Sequence, residues 1–158
     1  MSKKKINLVI YALSILDREN KRLKLKDINE GKSFLDCVEE YMQKNISLYT
    51  NDTEQDTLFQ FEQVNLEKQT NDAGQEEYRV LYGRVKTGEY GIESELVDVK
   101  SGQITNRSAD QADMMPFGFC IAVPSGNVNS AVIILQTMGV YGMKTTLQKH
   151  LQNCLTNI

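Results

Sequence analysis

The two most apolar runs of the chain, residues 117–123 and 130–136, are separated only by Pro124-Ser125-Gly126-Asn127. Proline fixes φ, glycine permits positive φ and asparagine bonds its own backbone, so this segment turns the chain sharply. A connection this short joins antiparallel strands, because a parallel crossover needs a dozen residues or more. Being the most apolar pair, these two strands are expected at the centre of a sheet.

Three further strand candidates precede them. Residues 57–66 contain Leu58, Phe59, Phe61 and Val64; residues 77–86 contain Tyr78, Val80, Leu81, Tyr82 and Val85; residues 91–100 contain Ile92, Leu96, Val97 and Val99. Asn71-Asp72-Ala73-Gly74 and Thr87-Gly88-Glu89 between them are turn chemistry of hairpin length, which predicts a meander. Residues 6–16 form a short apolar run rich in β-branched side chains and read as another strand. Residues 22–28 alternate basic with apolar residues and read as an edge strand guarded by lysines.

Two segments carry helical periodicity. Ser33 followed by Asp36 predicts a capping box opening a helix over 33–44, with Phe34, Leu35, Val38, Tyr41 and Met42 on one face. Met143, Leu147, Leu151, Cys154 and Leu155 form a stripe on a second helix over 143–155. Residues 45–56 read as a loop, and 101–113 as a polar connection with one helical turn near 109–114. The fold class expected is α+β: an antiparallel sheet of about six strands packed on one face by two amphipathic helices.

A chain of 158 residues with 41% hydrophobic and 25% charged residues builds one core without disulfide or metal, so 1–158 is expected to be a single domain. The last helix runs almost to Ile158, which suggests the N-terminal domain of a longer chain, or half of an interface. Tryptophan is absent, so tyrosine and phenylalanine supply the large packing surfaces. Cys37, Cys120 and Cys154 form no CxxC pair and lie in apolar contexts; they read as three reduced, buried thiols of a cytoplasmic protein. Lys3-Lys4-Lys5 before an apolar run imitates an export signal, but Asp17-Arg18-Glu19 stands where a cleavage site belongs. That run is also too short to span a bilayer, so no membrane partner is expected. Abundant Lys, Asn, Ile and Gln suggest an AT-rich bacterial or phage genome.

Charge is unevenly spread. Residues 1–50 carry ten Lys/Arg against seven Asp/Glu, residues 51–113 six against fourteen, and residues 114–158 only Lys144 and Lys149. An acidic middle layer with solvated faces accounts for this.

Few groups suit catalysis. His150 is the only histidine and reads as a surface or boundary residue near a helix C-terminus. Gly139-Val140-Tyr141-Gly142-Met143-Lys144-Thr145 leads from a strand into a helix, the context of an anion-binding loop. Its glycine spacing and the displaced lysine do not match the nucleotide-binding pattern, so glycines turning the chain are expected, with Lys144 as a candidate binding residue. Tyr78, Tyr82, Arg84 and Lys86 share one face of an unbroken strand, an arrangement that can stack bases and hold phosphates. Asp98-Val99-Lys100 is an acid-x-Lys triplet; on a strand, its acid can hold Mg²⁺ and its lysine can stabilise developing charge. With the order helix, three strands, short helix, strand, residues 33–123 resemble the core of the PD-(D/E)xK nuclease superfamily. The resemblance implies a metal-dependent nuclease with Asp98 and Lys100 as candidate catalytic residues. Glu30-Gly31-Lys32 repeats the triplet in a turn, and the upstream acid is unassigned.

The expectation is therefore a non-catalytic interaction or regulatory module whose partner is another protein or domain, with no cofactor and with a homo-oligomer as one form. The alternative is a nucleic-acid-binding protein or nuclease. An uncharged hydrophobic surface favours the first reading; a positive groove or carboxylates converging near Asp98 favour the second.

Overall fold

The computed structural model describes residues 5–156. Its elements run β1 (Ile6–Leu13), α1 (Phe34–Lys44), β2 (Tyr49–Asp52), β3 (Thr57–Thr70), β4 (Glu76–Glu89), β5 (Ser94–Val97), β6 (Ile104–Arg107), β7 (Met115–Pro124), β8 (Ala131–Met138) and α2 (Lys144–Thr156). Six strands form one antiparallel sheet in the order β1-β8-β7-β4-β3-β2, and β5 and β6 pair as a separate ribbon. The fold is α+β.

Period-two burial divides the sheet into two faces. Leu13 on β1, Ala131, Ile133 and Leu135 on β8, Phe117, Phe119 and Ile121 on β7, and Leu81 and Val85 on β4 point one way. There they meet Phe34, Val38 and Met42 of α1 and Leu147 and Leu151 of α2 in a single hydrophobic cluster. Burying one side chain of this kind stabilises by about 1.5–3 kcal/mol, so this layer holds the molecule together.

α1 starts as its sequence demands. Ser33 adopts extended backbone and accepts from Asp36 N at 3.2 Å, while Asp36 Oδ2 accepts from Ser33 N at 3.3 Å, which completes the capping box. The Arg79 guanidinium locks this cap to β4 by donating to Asp36 Oδ1 at 2.6 Å and to Ser33 Oγ at 3.0 Å. That bond holds the Asp36 carboxyl down to about 2. β3 bulges between Phe61 and Gln63, bringing its backbone over Gly83; a Cβ on Gly83 would lie 1.9 Å from the Gln63 carbonyl oxygen.

Several expectations are corrected. Residues 22–28 form no strand; only an isolated bridge joins Leu16 to Arg22. The expected loop at 45–56 contains β2, and the polar connection contains β6 with no helical turn at 109–114. β4 pairs with β3 and β7, so the three-strand meander stops at β4, and residues 94–97 fold back on β6 instead. The apolar pair β7 and β8 lies third and second in the sheet, which makes β7 central and β8 the neighbour of an edge strand.

His150 is buried, at 5% exposure. Its ring stacks on Phe59 with centroids 4.4 Å apart, and Nδ1 lies 3.1 Å from the Tyr41 hydroxyl. Three residues after Leu147, it turns toward α1 and β3 rather than toward water. Burial pushes its pKa down to about 4.

Candidate functional site

The other face of the sheet carries no helix and is split by chemistry. On β4, Tyr78, Tyr82, Arg84 and Lys86 share this face as the alternation predicts, but acids from β3 occupy three of them. Arg84 and Lys86 both pair with Glu62, Lys86 at 2.8 Å, and the Tyr82 hydroxyl donates to Glu67 at 2.6 Å. The hydrogen bond from Lys86 keeps the Glu62 carboxyl below its usual range, and the bond to Glu67 raises the Tyr82 hydroxyl. Tyr78 is 40% exposed at the far end of the strand. Arg84 and Lys86 thus share one carboxylate, which offsets part of the positive charge this face offers a polyanion.

The acid-x-Lys triplet is not on a strand, which corrects the premise of the nuclease resemblance. Asp98 opens the turn between β5 and β6, and its Oδ1 accepts from Ser101 N at 2.6 Å, Ser101 Oγ at 2.8 Å and Lys100 N at 3.0 Å. Those bonds lower its pKa and use the carboxylate to hold the turn. Among the described residues, no group of three or more His, Cys, Asp or Glu is placed to hold a metal ion.

Lys144 opens α2, and its Nζ lies over the Tyr11 ring, 4.6 Å from the centroid. The glycine segment before it is a tight reversal. Met138 and Tyr141 exchange backbone bonds of 3.0 Å each way, and Gly139 takes φ +60°. Cys37 and Cys154 are buried between the helices; Cys120 is half-buried on the open face.

The feature that stands out lies at the β1 edge. Ile6, Leu8 and Ile10 project onto the open face at 59%, 71% and 69% exposure. Val132 and Ile134 of β8 continue the strip beside Ala12 and Ile10. No charged residue occurs between Ile6 and Leu16. Among the described residues, nothing pairs with the outer side of β1. On the helix side, α2 leaves a groove of about 410 Å³ along the same strand, lined by Tyr11, Leu13, Ile15, Leu147, Leu151 and Leu155 among others. The β1 margin is therefore apolar above and below an unpaired backbone.

The opposite edge is built differently. β2 has four residues, Tyr-Thr-Asn-Asp, and is fastened by an Asp52–Lys149 ion pair and by the Tyr90 hydroxyl donating to Asn51 at 2.7 Å. Short, polar and tied down, it carries the usual protections of an edge; β1 has neither charge, proline nor bulge. Sequence reasoning did not single out Ile6, Leu8 or Ile10. The signal available was a strand apolar at both parities and free of charge.

Comparison with protein-family models, curated proteins and solved structures finds no match to this chain. Its class rests on its own geometry: a six-stranded antiparallel sheet with helices on one face and an apolar free edge. No described helix is long and apolar enough to cross a membrane.

Proposed function

We propose that this chain is a non-catalytic interaction module of the cytoplasm that takes an extended segment of another protein or domain along β1. The observation that carries the reading is the uncharged aliphatic margin of Ile6, Leu8 and Ile10 beside an unpaired strand backbone. A strand added to an open edge gains main-chain hydrogen bonds, and alternate side-chain positions select the partner. Here selection favours a segment whose side chains on the open face are aliphatic, because a charge against this strip would be desolvated without a counter-ion. Three free cysteines suit a reducing compartment. Charge placement supports the same choice over nucleic acid, since Arg84 and Lys86 already share Glu62.

The test has two arms. Labelled single- and double-stranded DNA and RNA, with and without Mg²⁺ or Mn²⁺ over a salt series, are expected to be neither cleaved nor bound in a salt-sensitive way. Metal-dependent cleavage lost on Asp98→Ala overturns the proposal. In the second arm, a purified partner protein is expected to bind the wild type and to lose binding to a Leu8→Lys/Ile10→Lys double variant. Unchanged binding to that variant places the contact elsewhere.

A further inference from the structure

We infer that the segment docking on β1 is the β1 strand of a second copy of this chain, paired antiparallel about a two-fold axis so that two sheets become one. The inference rests on the docking reading above and commits it to one occupant.

Self-pairing matches this strand by geometry. Side chains alternate with period two, so an antiparallel strand in register brings like face to like face. With the axis passing beside Ile10, Ile10 faces its own copy, Leu8 faces Ala12 of the other, and residues 7–13 of the two strands are paired. On the helix side, Val9 of the second copy lies opposite Tyr11 and extends the groove that runs along Tyr11, Leu13 and Leu151.

Charge sets a second condition. Two identical chains of net charge −3 repel, so a favourable contact needs a zone free of like charges, and residues 6–16 contain none. Area sets a third. The seven residues 7–13 of β1 that pair extend about 23 Å, and side chains above and below span about 20 Å, giving roughly 450 Å² per copy and about 900 Å² in all. That is the size of a weak, reversible contact, just under the roughly 1,000 Å² of a specific one. The four residues of β2 supply about half of it and carry Asp52. An isologous contact of this kind also closes on itself, so it yields a dimer and not a filament.

The experiment is sedimentation velocity over a concentration series to about 100 μM, with hydrogen exchange read at the β1 amides. Ile10 is 69% exposed, so Ile10→Lys and Ile10→Glu leave the core intact, which circular dichroism checks. The wild type is expected to dimerise with concentration and to protect β1. Each Ile10 variant is expected to weaken the dimer at least tenfold, and an equimolar mixture of the two to restore it, since opposite charges then meet across the axis. A wild type that stays monomeric with fast-exchanging β1 amides overturns the second-copy inference while leaving the margin open to a different protein. A dimer indifferent to both substitutions overturns the inference and the docking role of this margin together.

Discussion

Lowering the pH from neutral should destabilise this protein, and the cause is His150. Only the neutral ring is compatible with its place against Phe59, Phe61 and Tyr41. Its pKa is about 4 in the folded chain against an ordinary 6.5. Between those values the unfolded chain binds a proton that the folded chain refuses. Stability is therefore fully present above about pH 6.5 and falls as pH drops toward 4, by at most about 3 kcal/mol. From pH 7.5 to pH 5.0 the loss comes to about 2 kcal/mol, since most but not all of that window has been crossed. With a urea m-value of about 2 kcal/mol/M, the midpoint should fall by about 1 M. Urea melts at the two pH values measure this, and His150→Phe, which keeps an aromatic ring but removes the titrating group, should abolish the difference. As the chain has a single histidine, its ring resonance can also be followed by NMR without assignment. A folded-state midpoint near 6.5, or the same pH slope in His150→Phe, refutes the argument.

Asp36→Ala removes both the capping box and the Arg79 bond. The loss should be about 1–2 kcal/mol in thermal melts, discounted because the carboxylate is partly in water. The same group adds a second acid-sensitive step, with stability present above about pH 3.8 and lost as pH falls toward 2, which an acid titration of Asp36→Asn should lack. Gly83→Ala must push the β3 bulge off β4 and should cost at least about 2–3 kcal/mol. Gly126→Ala has open space around it and strains only a φ of +99°, so it should cost about 1 kcal/mol in the same denaturation assay. A thiol reagent near neutral pH should modify Cys120 first. Cys37 and Cys154 should need denaturant, because both are buried and burial pushes the Cys154 thiol up to about 11.

Local chemistry was legible in the sequence wherever a few neighbouring residues decide the structure. Ser33 and Asp36 predicted their cap, and Pro124 to Asn127 predicted the β7–β8 turn. What failed were inferences about neighbours far along the chain. Residues 91–100 have strand composition, but Gly91 at φ +91° and the Asp98 turn close that segment on β6, while β7 takes the edge of β4. β2 escaped notice because an edge strand of Tyr-Thr-Asn-Asp has no buried alternation to display. His150 was misplaced for a related reason: a helical stripe shows which residues face inward on average, and not that Tyr41 and Phe59 widen it by one position. The edge proposed for docking was hidden by the strand's own composition. Apolarity at both parities normally marks a strand covered on both faces, and nothing in Ile-Asn-Leu-Val-Ile-Tyr-Ala-Leu tells a covered strand from one awaiting cover.

The seam that holds β1 gives the docking argument its dynamic side. Among the described residues β1 pairs only with β8, so the first described strand is fastened to the last, with Ile6 opposite Met138 and Leu13 opposite Ala131. Such a seam closes the longest loop in the molecule and is held from one side only. It is thus a natural point of local opening, whereas β7 is held by β4 and β8 together. Anything that binds the paired form and not the opened one adds its binding free energy to that seam. A second strand on the free side therefore does more than cover Ile6, Leu8 and Ile10; it converts an edge strand of the sheet into an internal one. Protection of β1 amides should rise with protein concentration, while protection of β7 amides, already internal, should follow global stability alone.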